Sequence, residues 1–335
     1  MPPPVPPYGS ADPGSDEQSS DVLPPFNAVV PLKARVAMRA GEAQTRSLQL
    51  RDGRQIQVLV AGPESGVPVV FHHGTPFAAV APRVVIDVTA RRGVPMVLAS
   101  RPGYAGSTAL PGRTVADAAA DTIEILDQLG HSRFYAVGWS GGGPHALACA
   151  ALVPDRCLAA ATIAGVAPYE AAGLDWLAGM GPENVEEFSY ALEGGAPFDE
   201  FLTQSASAAR DVTGSQIADE LGGLLSAADR NALSEEMAEF LAAAMRAALS
   251  SGIEGWREDD LAFVRGWGFD VEAPGAPVAI WQGDQDNMVP AAHGAWLAGH
   301  VPGARRWLLS GEGHLTLMAG FERVLSDLFD LAHQN

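Results

Sequence analysis

A serine hydroxyl is a weak nucleophile until a base takes its proton, so the residues of interest are a serine, a histidine and a carboxylate that can be brought together. Ser140 stands where an apolar, aromatic run, Phe134-Tyr135-Ala136-Val137-Gly138-Trp139, gives way to Gly141-Gly142-Gly143 and an Ala/Leu-rich stretch. The pattern reads as a strand, a sharp turn and a buried helix, with the serine at the turn. Gly138 and Gly142 flank it as G-x-S-x-G. Such a turn forces its central residue into a strained backbone conformation and brings neighbouring chain close, so β-carbons two residues either side would collide. It also aims the first amides of the helix, beginning at Gly141, toward whatever the hydroxyl attacks. Taken alone, the motif suits a glycine-rich turn capping a core helix equally well, because the chain has 37 glycines.

Candidate partners lie far along the chain. His314, in Ser310-Gly311-Glu312-Gly313-His314-Leu315, follows one expected strand and precedes the last helix. Asp286, in Gly283-Asp284-Gln285-Asp286-Asn287-Met288-Val289-Pro290, follows the strand before it. Both therefore fall on loops at the carboxyl ends of strands, the edge that also carries Ser140 and where open α/β sheets bind ligands. Asp284 is a rival for the carboxylate role. His72 and His73 end a strand beside the site, where loop-shaping hydrogen bonds explain them. His145 reads as a core or helix-capping group, and Arg101 and Ser107 as loop braces. The remaining histidines, His131, His293, His300 and His333, read as surface or structural.

Positioning these side chains requires a parallel sheet. Ser47-Leu48-Gln49-Leu50 and Gln55 to Val60 alternate around Asp52-Gly53, a β-hairpin. Val67 to Phe71, Pro95 to Ala99, Phe134 to Trp139, Leu158 to Ala164, Pro277 to Trp281 and Arg305 to Leu309 read as further strands. Helical patterns separate most of them: Val80 to Arg91, Thr114 to Leu129 with Gly130 as its stop, Ala291 to Ala298 with Gly299 as its stop, and Leu315 to His333. Thr114 and Asp117 have the spacing of a variant capping box. Alternation of strand and helix predicts an α/β fold with helices on both faces of a mostly parallel sheet. It lapses from Pro168 to Val271, an Ala/Leu/Glu/Met-rich stretch that reads as several short helices inserted as a lid. The expected division is a Pro/Ser-rich, partly disordered extension (1–44), a first core part (45–167), a helical cap (168–271) and a second core part (272–335).

In this order the motifs resemble those of the α/β-hydrolase superfamily, of the kind with a serine nucleophile and a helical cap. They are His73-Gly74-Thr75-Pro76, Arg101-Pro102-Gly103-Tyr104-Ala105-Gly106-Ser107, Gly138-Trp139-Ser140-Gly141-Gly142, Asp286 before Val289-Pro290, and Gly313-His314. The resemblance runs from about residue 46 to the C-terminus. It implies Ser140 as nucleophile, His314 as general base and then acid, Asp286 as the orienter of His314, and the backbone N–H groups of Thr75 and Gly141 as the oxyanion hole. A serine at 140 is unlike the aspartate of the superfamily's epoxide hydrolases and haloalkane dehalogenases. The expected activity is hydrolysis of small, apolar carboxylic esters through an acyl-enzyme. Alternatives on the same triad are an aminopeptidase of the proline-iminopeptidase type, a lactonase and a C–C bond hydrolase; a small-molecule-binding protein on the same fold is the non-enzyme reading. The chemistry calls for no cofactor or metal.

Around the site, His73, Trp139, Trp176, Met180 and Met288 are candidate pocket residues. The cap supplies many large apolar side chains, among them Phe188, Tyr190, Phe198, Phe201, Met237, Phe240, Met245, Trp256 and Trp267, most of which should form its own core. It is also acidic, with Glu183, Glu186, Glu187, Glu193, Asp199 and Glu200. A solvated face accounts for these, while an inward carboxylate could hold a substrate's amino group, as in the superfamily's aminopeptidases.

Composition narrows the partners. With 21 basic and 40 acidic residues the net charge is -19 and Lys33 is the only lysine, a balance that repels nucleic-acid backbones and anionic membrane surfaces. Cys149 and Cys157 sit among apolar residues and read as buried free thiols. No apolar run reaches the roughly 18 residues of a membrane span, and no basic stretch leads into an apolar one at the N-terminus. The expectation is a soluble, cytoplasmic protein that acts on a small molecule.

Overall fold

The computed structural model describes residues 43–334, so nearly all of the N-terminal extension expected over residues 1–44 lies outside the described residues. Eight strands form one sheet: β1 (Gln44–Gln49), β2 (Gln55–Ala61), β3 (Val69–His72), β4 (Met96–Ala99), β5 (Phe134–Trp139), β6 (Cys157–Ile163), β7 (Val278–Gly283) and β8 (Arg305–Leu309). Their order is β1-β2-β4-β3-β5-β6-β7-β8. The β1/β2 hairpin and the β2/β4 pair are antiparallel, and every pair from β4 to β8 is parallel. From β3 the chain winds outward one way to β4 and the other way to β5–β8, which makes the β3/β5 boundary the switch point where such sheets open a crevice.

Helices α1 (Arg83–Arg91), α2 (Asp117–Leu129) and α3 (Gly143–Leu152) connect the first strands. Six helices separate β6 from β7: α4 (Pro182–Glu193), α5 (Gly195–Ala209), α6 (Ile217–Glu220), α7 (Ala227–Ala232), α8 (Glu235–Leu249) and α9 (Glu254–Phe263). The chain then adds α10 (Ala291–His300), α11 (Thr316–Ala319) and α12 (Phe321–His333). Strand pleating sends neighbouring side chains to opposite faces, and β3 shows what each face meets. Phe71 packs edge-on against Phe321 of α12 at 6.0 Å between ring centroids. His72, next in the chain, reaches Cys149 of α3 on the other side at 3.7 Å.

Local chemistry explains where elements begin and end. The Asp117 carboxylate accepts from both the backbone N–H and the hydroxyl of Thr114, at 2.7 and 2.9 Å. Thr114–Ala116 therefore forms a turn, and α2 starts at Asp117 rather than at the threonine. Gly130 ends it in the left-handed conformation, φ +81°. Gly299, in contrast, does not stop α10, which runs on to His300. The single expected C-terminal helix is broken at Gly320 into α11 and α12.

Candidate active site

Ser140 follows β5 and opens a short 3-10 turn, Ser140–Gly142, that leads directly into α3. Its φ of +55° is in the left-handed region, a strained conformation for a residue with a β-carbon. The flanking glycines are sterically required. A β-carbon on Gly138 would overlap the Gly142 carbonyl, and one on Gly142 would overlap the His72 carbonyl. Gly141 is equally constrained, because a β-carbon there would lie 2.5 Å from Thr75 Oγ1 and 3.0 Å from Phe263 Cζ. The third glycine requirement is not visible in the local pattern, since it comes from Thr75 and Phe263 packing across the turn.

Four loops at the carboxyl edge of the sheet supply the rest. After β7, Asp286 accepts from the backbone N–H groups of Met288 and Val289 through Oδ1, at 2.9 and 2.8 Å. Its Oδ2 meets His314 Nδ1 at 2.8 Å and accepts from Gln282 Nε2 at 3.2 Å. Both Asp286 and His314 are buried, at 4 % and 1 % exposure. Asp284 is engaged elsewhere. Its carboxylate accepts from Ser310 Oγ and Gly311 N, each at 2.8 Å, tying the ends of β7 and β8 together. Burial acts to lower the His314 pKa, but the charge and hydrogen bond of Asp286, aided by the charge of Asp229, outweigh it and hold the imidazole above its usual 6.5.

Sequence reasoning alone does not single out Asp229. It sits on α7, fully buried, and its carboxylate accepts from the backbone N–H groups of His314 at 3.1 Å and Leu315 at 2.7 Å. The helical insertion thus clamps the loop that carries the histidine. Asp259 on α9 does the same for the loop after β3. Its buried carboxylate takes Thr75 Oγ1 at 2.7 Å, Tyr104 Oη at 2.9 Å, Arg101 Nη2 at 2.5 Å and Arg113 Nη2 at 2.7 Å. Arg101 also donates to the carbonyls of His73 and Gly74, at 2.6 and 3.1 Å, acting as a loop brace. Although burial opposes its charge, the two guanidinium groups hold Asp259 well below the ordinary carboxylate range. His145, 3.8 Å from Asp259, is pushed down to about 4 by burial and by Arg101, so it is neutral near pH 7.

Ser140, Gly141, Thr75 and His314 all line one cavity of about 280 Å³ between the sheet edge and the inserted helices. Of the candidate pocket residues, Trp139 and Met288 line it and His73, Trp176 and Met180 do not. His73 is turned into its own loop, with Nδ1 2.7 Å from the Gly74 carbonyl and Nε2 accepting from Arg101 N at 3.3 Å. Trp176 donates to the Ala167 carbonyl at 2.7 Å and packs edge-on against Phe188. Met180 is buried in the apolar core. Of the large apolar cap side chains named from the sequence, Phe188, Phe201, Met245 and Trp256 reach the cavity wall, joined there by Leu221, Leu224, Leu241 and Phe263. Five carboxyl groups also line it, Glu183, Glu186, Glu187, Glu220 and Asp260, with no lysine or arginine. Among the described residues no group of three or more His, Cys, Asp or Glu side chains is arranged to hold a metal ion.

A family model for the alpha/beta hydrolase fold matches residues 67–321, most of the chain. The chain belongs to the α/β-hydrolase family. Solved structures agree on the fold. An alpha/beta hydrolase fold protein from Nakamurella multipartita is 22% identical, with a TM-score of 0.61 over 87% of this chain and 100% of that one. A thermophilic esterase from Thermogutta terrifontis is 19% identical, with a TM-score of 0.61 over 87% and 99%. A bromoperoxidase from Bacillus anthracis is 20% identical, with a TM-score of 0.64 over 86% and 100%. A search of curated proteins gave no match. As an α/β hydrolase the chain takes small molecules, and no helix among the described residues is long and apolar enough to cross a membrane.

Proposed function

We propose that this α/β hydrolase cleaves small-molecule carboxylic esters, with Ser140 as nucleophile. The observation that carries the proposal is the buried Asp286–His314 pair opening onto the same cavity as the strained Ser140. Ser140 Oγ attacks the ester carbonyl carbon while His314 Nε2 takes its proton; the C=O electron pair moves onto oxygen. The resulting oxyanion accepts from the N–H groups of Gly141 and Thr75, each such donor contributing about 3 kcal/mol. The imidazolium, stabilised by Asp286, returns its proton to the departing alcohol oxygen as the C–O bond breaks. Water, deprotonated by the same imidazole, then attacks the acyl-serine and releases the acid and Ser140.

Inside this scheme Arg101 and Asp259 are positioning residues, because they fix the Thr75 loop without reaching the reacting atoms. The helical insertion supplies the cavity roof, which keeps bulk water away from the charged intermediate and strengthens each interaction there. Turnover of p-nitrophenyl butyrate, lost in Ser140→Ala at unchanged folding, is the expected result. Turnover that survives the substitution would remove the serine mechanism. Cleavage of aminoacyl p-nitroanilides without ester cleavage would point to the peptidase instead.

A further inference from the structure

Two carboxyl groups stand together in the cavity wall without a cation. Asp260 on α9 is fully buried, and no backbone, guanidinium, hydroxyl or indole group donates to either of its oxygens. Its polar neighbour is the Glu187 carboxyl group on α4, which shares a hydrogen bond with it when one of the two is protonated and whose Oε1 accepts from Trp256 Nε1 at 2.7 Å. A fully buried carboxylate with no donor is costly, and two side by side cost more. Arg113, whose charge favours an ionised Asp260, is hydrogen-bonded to Asp259 instead, and the ionisable groups lining the cavity are these two, Glu183, Glu186, Glu220 and His314. Glu183 repeats the pattern, with Oε1 accepting from Gly223 N at 2.7 Å and Oε2 buried without a partner.

We propose that Glu187 and Asp260 form the recognition site for a protonated amine, so that the ester accepted by this cavity carries an ammonium group. An ammonium supplies further donors to the two carboxyl groups and offsets their charge when both ionise, which a neutral hydroxyl does not. An organic cation suits the pair better than a metal ion. Hard divalent cations take six or more oxygen ligands, and no cluster of three carboxyl, thiol or imidazole groups is assembled here. Asp260 also lies one helical turn before Phe263, whose ring abuts Gly141. Residues three apart on a helix are separated by about 5–6 Å at their β-carbons, which calls for a short linker between the amine and the ester carbonyl. Burial and the adjoining Glu187 raise the Asp260 pKa well above the ordinary carboxylate range. A bound ammonium would act in the opposite direction and favour the ionised pair.

The choice of ester rests on the hydrolase proposal; the recognition site does not. Binding is tested on full-length Ser140→Ala, titrated calorimetrically with n-butylammonium, 1-butanol and butyrate. Charge-assisted hydrogen bonds should make the ammonium bind about tenfold or more tighter than the alcohol, with butyrate weakest. Asp260→Asn and Glu187→Gln, made in that background, should each bring the ammonium to the level of the alcohol. Equal binding of all three probes, or no binding of the ammonium, would overturn the assignment. A thermal melt shows whether each variant is folded, and Glu187→Gln keeps the test decisive if Asp260→Asn is not. Wild-type turnover of 2-(dimethylamino)ethyl butyrate against its neutral isostere 3-methylbutyl butyrate separates the two proposals. Equal turnover of both esters leaves the hydrolase standing and overturns the amine site. Ammonium binding without turnover of either ester does the reverse.

Discussion

Asp259 and Asp260 are adjacent in sequence, on one helix and equally buried, yet they have opposite surroundings. Helix geometry turns successive residues by about 100°, so one faces the loops of the sheet and the other the cavity. Asp259 is met by two guanidinium groups and two hydroxyls, and Asp260 only by a second carboxyl group, that of Glu187. The first arrangement fixes a shape. The second leaves a carboxyl pair without a counter-charge at the cavity wall, which is why the two residues carry different meanings despite the same side chain.

The largest expected effect is at Asp259. Replacing it with Asn leaves Arg101 and Arg113 buried without a counter-charge, and breaking a buried ion pair in this way typically costs about 3–5 kcal/mol. Its folded pKa lies below the unfolded 3.8, so the stabilisation is complete above about 3.8 and is lost as pH falls through the folded value. Denaturant unfolding at pH 5 and pH 8 should therefore show the same loss. Asp260→Asn should move stability the other way, by about 1 kcal/mol, because it removes the cost of ionising a buried carboxyl group beside Glu187. Here the folded pKa is raised, so the penalty is absent below about 3.8 and grows as pH rises through the folded value. The gain from Asp260→Asn should be greater at pH 8 than at pH 5. A loss of stability on that substitution would break the comparison.

The smallest effect is expected at Asp229, which clamps the histidine loop as Asp259 clamps the threonine loop. Only neutral His314 can act as base, so ester turnover should rise with pH through a value above 6.5. Asp229→Asn keeps an acceptor for the loop amides and removes the charge, which should move that limb to lower pH while leaving the high-pH rate within about threefold. An unmoved limb would mean that Asp229 shapes the loop without influencing the imidazole.

Much of the core was legible because its signals are local. Continuous apolar runs mark β3, β5 and β7, and the turns carrying Ser140, Asp286 and His314 follow strands at recognisable spacings. Asp229, Asp259, Asp260 and Arg113 left no such signal. Each is an ionisable residue whose partner is remote in sequence, and a carboxylate on a helix reads as solvent-facing until the fold puts another element against it. The acidic cap shows the same limit. Asp199, assigned to a solvated face, pairs with Arg257 at the surface, whereas Glu187 turns into the cavity. Gly299, inside α10, and Gly320, between α11 and α12, show that a glycine alone does not fix where a helix ends.

The most direct test of the central claim is covalent labelling of the full chain with a fluorophosphonate, read by peptide mass spectrometry. The expected result is one phosphonyl adduct on Ser140, absent in Ser140→Ala and strongly slowed in His314→Ala. An adduct on another serine, or labelling of Ser140 at the same rate without the imidazole, would contradict it.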